Sequence, residues 1–149
     1  MASDGRGGSI FAVLCAVLWG KMRIEHLAYQ AEDPVAVAGW YVANAGLSVR
    51  RASGAPNYAH FLADSAGNVM IEIYNNPRVR TPDYRGMDPL LLHVAFCSES
   101  LEGDRDRLVA AGAEVVEDMT TTPAGDVLVM LRDPWGFAIQ LVRRERAMV

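Results

Sequence analysis

The chain has 149 residues, 51% of them hydrophobic and 21% charged, which is the composition of one globular domain with its own core. Its 14 basic and 18 acidic residues give a net charge of −4, and no basic run is interleaved with aromatic residues, so nucleic acid is not an expected partner. Two cysteines, Cys15 and Cys97, are too few for a disulfide framework or a zinc knuckle, and they suit the cytoplasm.

The first 21 residues contain an apolar run at positions 9–19. This run is too short to cross a bilayer as a helix. It has the length of a signal-peptide core, but the residues before it are not clearly basic and no small-residue cleavage site follows. We therefore expect residues 1–21 to be an over-long start, with Met22 as the initiator. An exported or membrane-associating leader is the alternative.

Residues 22–75 predict a module of one strand, one helix and three further strands. The first strand is expected over residues 23–30. Asp33 and Pro34 suit the N-cap and the first position of a helix, and Gly46 stands where a glycine ends one. Strands are then predicted over residues 47–52, 58–63 and 68–74, because turn-forming residues separate these apolar stretches.

Residues 76–90 are rich in proline and charge and are predicted to be a linker. The same order of elements then recurs over residues 91–149. A strand is expected at 91–97, a helix from the serines at 98 and 100 to Gly112, and strands at 114–117, 127–131 and 137–142. Asp-Pro-Trp-Gly at 133–136 predicts a tight turn before the last strand. Residues 22–149 are thus expected to form one domain of two βαβββ modules.

The two modules also repeat a short motif at each end. His-Leu-Ala-Tyr at 26–29 matches His-Val-Ala-Phe at 93–96. Ile-Glu-Ile at 71–73 matches Ile-Gln-Leu at 139–141, with Glu72 lying 46 residues after His26 and Gln140 lying 47 residues after His93. These four polar residues therefore occupy equivalent places in the repeat.

Side chains alternate between the two faces of a strand, so each of the four polar residues faces away from its large apolar neighbours. Taken singly, His26, Glu72, His93 and Gln140 could be ordinary surface or hydrogen-bonding residues. Their joint placement in a duplicated unit favours a metal site. Two imidazoles, a carboxylate and an amide oxygen suit a divalent Fe, Mn, Co, Ni or Zn ion. His60 is expected to be a surface or hydrogen-bonding residue instead, and Cys97 a packed thiol.

Several motifs around these residues resemble the vicinal oxygen chelate superfamily of glyoxalase I, bleomycin-resistance proteins and extradiol dioxygenases. They are Gly-Trp-Tyr-Val-Ala-Asn-Ala-Gly-Leu (39–47), Met-Ile-Glu-Ile-Tyr-Asn (70–75), Leu-Leu-His-Val-Ala (91–95), Ala-Gly-Ala-Glu-Val (111–115) and Asp-Pro-Trp-Gly-Phe-Ala-Ile-Gln-Leu (133–141). The resemblance covers residues 22–143. It implies an α+β fold in which two βαβββ modules form a cupped mixed sheet around a metal. It also implies a homodimer in which each site takes residues from two chains.

The chain departs from the superfamily pattern at two positions. The last motif normally ends in a ligand Glu, where this chain has Gln140, and an amide cannot take up a proton at neutral pH. Bacterial glyoxalase I has an Arg that helps hold glutathione four residues after the first His, and this chain has Gln30 there. Glutathione is therefore not an expected substrate.

The resemblance and the ligand set together imply a glyoxalase-like, metal-dependent enzyme of the lyase or isomerase type. It would polarise a small oxygen-chelating substrate at the metal, with Glu72 as the catalytic base. One alternative is a non-haem Fe(II) dioxygenase that uses His26, His93 and Glu72 as a two-histidine, one-carboxylate face. Another is a metal-free protein that binds a small molecule and confers resistance to it.

Overall fold

The computed structural model describes residues 22–148, which form eight strands and two α-helices. The first half contains β1 (His26–Gln30), α1 (Pro34–Ala45), β2 (Ser48–Ala52), β3 (His60–Ala63) and β4 (Met70–Tyr74). The second half contains β5 (Val94–Cys97), α2 (Leu101–Ala110), β6 (Glu114–Thr121), β7 (Val127–Arg132) and β8 (Ala138–Arg143). Residues 1–21, predicted to be an over-long start or a leader, lie outside the described residues. Within residues 22–148, no helix is both long and apolar enough to cross a membrane.

Each half folds into a four-stranded mixed sheet with the same strand order. The first sheet runs β1-β4-β3-β2 and the second runs β5-β8-β7-β6. In both, the first and last strands of the module pair in parallel, and the remaining pairs are antiparallel. The two sheets confirm the predicted α+β fold of paired βαβββ modules.

Helix α1 begins and ends at the residues predicted from the sequence. The Asp33 carboxylate accepts a hydrogen bond of 3.0 Å from the backbone N–H of Ala36 and so caps the first turn. Gly46 ends the helix at a φ of 70°, a left-handed conformation that glycine adopts with little strain. These caps fix where α1 lies between β1 and β2.

The strand boundaries differ from the prediction by up to four residues. β1, β3 and β4 begin at His26, His60 and Met70, two or three residues later than expected. β5 begins at Val94 and not at residue 91, because the chain first turns at Asp88, whose carbonyl accepts from the Leu91 N–H at 3.0 Å. β6 continues to Thr121, beyond the expected end at residue 117. Its pairing with β7 resumes after a register shift, and such an irregularity removes the regular alternation by which strands are recognised in a sequence.

Both sheets turn one face toward a single hydrophobic core. Six core residues from the sheets are 3% exposed or less, namely Leu62, Ile73, Val129, Leu131, Ile139 and Leu141. The helices contribute Val37, Tyr41, Leu101 and Leu108 to the same cluster. The apolar, helix-covered faces predicted from the strand period are therefore present, and the opposite faces point away from this core.

The two modules contact each other through their helix-facing sides. The Trp40 indole N–H donates to the Ala111 carbonyl at 2.8 Å, and the Arg107 Nε–H donates to the Asn44 carbonyl at 3.0 Å. A third hydrogen bond runs from the Tyr41 hydroxyl to Oδ2 of Asp133, also at 3.0 Å. The helices thus hold the sheets together.

Asp133 joins the modules at the predicted turn before β8. It is fully buried, and its Oδ1 accepts hydrogen bonds from the N–H groups of Trp135 (3.0 Å) and Phe137 (2.9 Å). Burial raises the pKa of this carboxyl above its usual value, and the hydrogen bonds that it accepts oppose that shift. Asp133 therefore accepts hydrogen bonds both from the backbone of the turn and from the hydroxyl group of the buried Tyr41.

We expect Asp133→Ala to lower the free energy of unfolding by about 2–4 kcal/mol, because two backbone N–H groups and the Tyr41 hydroxyl lose their acceptor. Asp133→Asn should cost less, because an amide oxygen can still accept from both N–H groups. Urea unfolding of the two variants measures the difference. An alanine variant as stable as the native chain would show that the turn does not depend on this side chain.

Candidate metal centre

β1 and β4 bring His26 and Glu72 together on the face of the first sheet that points away from the core. The parallel register sets His26 beside Met70 and Ala28 beside Glu72, so the imidazole and the carboxylate are diagonal neighbours. Nε2 of His26 lies 3.3 Å from Oε2 of Glu72. Two atoms that each bind a metal at about 2.1 Å are roughly 3.0–3.4 Å apart in octahedral or tetrahedral geometry. The pair fits two neighbouring positions of a metal centre.

Two further side chains hold the His26 ring, and the sequence did not single out either. Nδ1 contacts a carboxylate oxygen of the preceding Glu25, and the ring packs edge-on against Phe61 with 5.5 Å between the ring centroids. The hydrogen bond to Glu25 raises the pKa of His26; burial opposes this shift, and the charges of Glu25 and Glu72 add to it. A carboxylate on one nitrogen of a metal-binding histidine fixes which nitrogen faces the metal. In this chain Glu25 contacts Nδ1, so Nε2 is the nitrogen that faces Glu72.

The second sheet carries the equivalent residues. His93 lies immediately before β5, and its Nδ1 is 3.0 Å from the Pro89 carbonyl oxygen. Gln140 is paired with Ala95 in the parallel register, as Glu72 is paired with Ala28 in the first sheet. Glu72 and Gln140 therefore occupy equivalent positions in the registers of the two sheets.

The chain does not bring all four residues into one cluster. Within residues 22–148, no three His, Cys, Asp or Glu side chains come close enough to hold a metal ion. The physical reason is that both sheets pack on the shared core through their helix-covered faces, so that the polar faces point outward from it. One chain therefore presents His26 and Glu72 as a pair, and His93 is not part of it.

The remaining polar candidates fall outside this pair. His60 is paired with Ile73, whereas its neighbour Phe61 is paired with Glu72, so His60 points to the opposite face. Its Nδ1 is 2.7 Å from the Tyr58 carbonyl oxygen, in agreement with the expected hydrogen-bonding role. The expectation that Cys97 is a packed thiol is wrong: Cys97 is exposed, because it lies near the end of β5 on the face that points away from the core.

Gln30 has a structural role at the end of β1. Its side-chain N–H groups donate to the carbonyl oxygens of Asn76 and Val79, both at 3.1 Å, and its Oε1 accepts from the Asn76 N–H at 2.9 Å. Gln30 is only 6% exposed. The amide at this position therefore ties the linker to the first sheet.

Comparison with protein families and solved structures shows which known proteins share this fold. The model of the Glyoxalase/Bleomycin resistance protein/Dioxygenase superfamily matches residues 23–141. No curated protein matches the chain. A glyoxalase family protein from Bacillus cereus is 18% identical, with a TM-score of 0.71 over 83% of this chain and 94% of its own.

Two other structures of similar fold belong to different kinds of protein, one a binding protein and the other an enzyme. TnmS3, an antibiotic binding protein from a Streptomyces species, is 17% identical with a TM-score of 0.67, over 85% of this chain and 98% of its own. A mutant of glyoxalase I from Zea mays is 20% identical with a TM-score of 0.67, over 83% of this chain and 46% of its own. At these identities the likeness concerns the fold, which an enzyme and a binding protein share.

Proposed function

Because the chain belongs to the Glyoxalase/Bleomycin resistance protein/Dioxygenase superfamily, we propose that it is a homodimeric, metal-dependent enzyme that polarises a small oxygen-chelating substrate. In this proposal His26 and Glu72 of one copy join the partner's His93 and Gln140 around a divalent ion, which is Fe, Mn, Co, Ni or Zn. The observation that carries it is the 3.3 Å separation of Nε2 and Oε2 on an outward sheet face. A second copy can supply the missing ligands to such a face.

The proposed ligand set assigns different tasks to its members. A bound divalent ion supplies Lewis acidity to a carbonyl or hydroxyl oxygen of the substrate. Glu72 is the only carboxylate of the set, so it is the residue that can take a proton from the substrate. Its side chain is 20% exposed, which leaves it within reach of a bound molecule. Gln140 can hold a cation through its amide oxygen, but it cannot act as a second base.

A metal-free binding protein is the second candidate. The observation in its favour is that a protonated His26 and Glu72 form an ion pair at the same 3.3 Å without a metal. The raised pKa of His26 favours that protonated form. An Fe(II) dioxygenase on the same ligands differs from the first proposal in requiring O₂.

Light scattering and elemental analysis of the purified full chain test the proposal together. We expect a dimer at micromolar concentration that holds about one metal ion per chain, because a two-fold dimer forms two equivalent shared sites. A monomer that still binds metal would overturn the shared site. A dimer that takes up none of the five metals would favour the metal-free binding protein. Turnover of dicarbonyls or catechols, with and without O₂, separates the two enzymatic proposals.

The contact between Glu25 and His26 predicts how metal binding depends on pH. Protons compete with the metal for His26, and Glu25 raises the pKa of His26, so competition begins at a higher pH than it would otherwise. Glu25→Gln should therefore move the loss of Zn²⁺ binding on acidification to lower pH. Calorimetric titration with Zn²⁺ over a pH series measures this, with the exposed Glu99→Gln as the control. Equal midpoints in both variants would contradict the role of Glu25.

A further inference from the structure

A row of side chains crosses the outward face of the first sheet, the face that points away from the core. The antiparallel register pairs Glu72 on β4 with Phe61 on β3, and Phe61 with Arg51 on β2. Directly paired residues of neighbouring strands have their side chains on the same face of a sheet. Arg51 therefore lies on the outward face, two strands away from the proposed ligand Glu72.

An irregularity in β2 brings Arg51 to this face. Val49 is paired with the core residue Leu62, so strict alternation along β2 would turn Arg51 toward the core as well. Val49 and Arg51 are two residues apart, but they pair with the consecutive residues Leu62 and Phe61, which is the mark of a β-bulge. Bulges redirect side chains and are common beside functional sites. The strand thus departs from regular geometry where the departure places a cation on the face of the proposed metal centre.

The guanidinium group of Arg51 is accessible to a ligand. Arg51 is exposed, and it forms no ion pair with any side chain of residues 22–148. The neighbouring Arg50 is directed to the turn before β4, where its Nη2 would be 3.3 Å from a Cβ atom at Gly67. A guanidinium group can donate two parallel hydrogen bonds to one carboxylate, which makes Arg51 suited to an acidic ligand.

Phe61 provides an apolar surface between the proposed metal centre and Arg51. Its ring is half-buried and lies edge-on to the ring of His26, with 5.5 Å between the ring centroids. Neighbouring strands are about 4.8 Å apart, so about 10 Å separates the Cα atoms of Glu72 and Arg51. A small molecule that binds the metal at one end and packs on Phe61 would therefore bring its other end to Arg51.

We propose that Arg51 selects substrates that carry a carboxylate at the end remote from their metal-chelating oxygen atoms. This selection rests on the proposed function, because the ion at His26 and Glu72 is the second anchor of the substrate. The carbon body packs on Phe61, and the remote carboxylate accepts hydrogen bonds from the guanidinium group. Arg51 also offsets the repulsion between that carboxylate and the negative charge of Glu72. The substrate class is thus a small oxygen-chelating acid.

Calorimetric titration of the full chain with three matched catechols, with and without Zn²⁺, tests the proposal. The probes are the anionic 3,4-dihydroxyphenylacetate, the neutral 3,4-dihydroxyphenylacetamide and the cationic 3,4-dihydroxyphenethylamine, which share the same pair of chelating oxygen atoms. We expect the acid to bind about fivefold more tightly than the amide, and the amine to bind most weakly. Zn²⁺ should strengthen the binding of all three, because the chelating group is common to them.

The two comparisons separate the selection by Arg51 from the proposed metal centre. Equal affinities for the acid and the amide, or no binding of any probe in either condition, would overturn the selection. A preference for the acid that Zn²⁺ does not strengthen would count against the metal centre and leave the selection by Arg51 standing. Stronger binding with Zn²⁺ but without a preference for the acid would do the reverse.

Three variants connect the preference to the side chain. Arg51→Gln should bind the acid and the amide with equal affinity, and Arg51→Lys should retain part of the preference, because it keeps the charge without the planar fork. Arg105→Gln is the matched control, because it removes the same charge from α2, where Arg105 pairs with Asp106 and Asp118. Arg51 is exposed, so its variants should melt at nearly the native temperature. A native preference for the acid in Arg51→Gln would overturn the proposal.

Discussion

Glu72→Gln is expected to lower turnover by about 10²–10⁴-fold, the range that a general base typically contributes. It should also weaken metal binding markedly, because Glu72 is the only negatively charged ligand in the proposed set. The substitution keeps the size of the side chain and an oxygen atom that can bind a metal, so packing on β4 is preserved. A loss of function would therefore be caused by the missing negative charge of Glu72 and by its missing ability to take up a proton.

Gln140→Glu is the reciprocal change at the equivalent place in the second module. It adds a second negative ligand and restores the superfamily pattern, so we expect metal binding at least as tight as in the native chain. Comparison with the native protein tests for a gain of glyoxalase- or epimerase-like proton transfer, because the new carboxylate would be a second base. Elemental analysis and assays on dicarbonyl substrates measure both quantities.

Glu117→Gln is the matched control for these two variants, because Glu117 is an exposed strand residue on β6, outside the proposed ligand set. It should leave metal content and turnover unchanged. If Glu72→Gln behaved like this control, Glu72 would be an ordinary strand residue. The metal-free binding protein would then be the better proposal.

The local elements were predictable because their signals lie close together in the sequence. The Asp33 cap, Pro34 and Gly46 determine α1 within 14 residues, and the structure has the helix between them. Strand alternation separated Glu72 from Ile73, and the structure places Ile73 in the core and Glu72 on the other face. Such features depend on backbone geometry over one element.

The arrangement of the two sheets was not predictable in the same way. The repeat showed that His26 and His93 are equivalent, but equivalence in sequence does not say which faces of two modules meet. That is decided by contacts between distant residues, such as Tyr41 with Asp133 and Trp40 with Ala111. A cavity of about 290 Å³ beside Tyr29 was not predictable for the same reason, because its lining combines β1, the linker and the turn at 133–136, about a hundred residues away in the chain.

Two variants that lack a complete metal site separately are expected to regain one when combined in a mixed dimer. His26→Ala and His93→Ala each remove one proposed ligand from both sites of their own homodimer. In a dimer of one His26→Ala chain and one His93→Ala chain, a shared architecture leaves one site with both histidines and the other with neither. Such a dimer, isolated through two affinity tags, should hold about half the native metal content.

A second mixed dimer distinguishes sites shared between two chains from sites formed within one chain, because the two possibilities predict opposite metal contents for it. A native chain paired with a chain that carries both substitutions has no site with both histidines if each site takes His26 from one copy and His93 from the other. If each chain forms its own site, the native chain keeps an intact one, and the first mixed dimer has none. Metal in the first pairing and its loss in the second would establish the shared site. The opposite pattern would mean that the two sheets of a chain can close on one another, against the packing of their helix-covered faces on a common core.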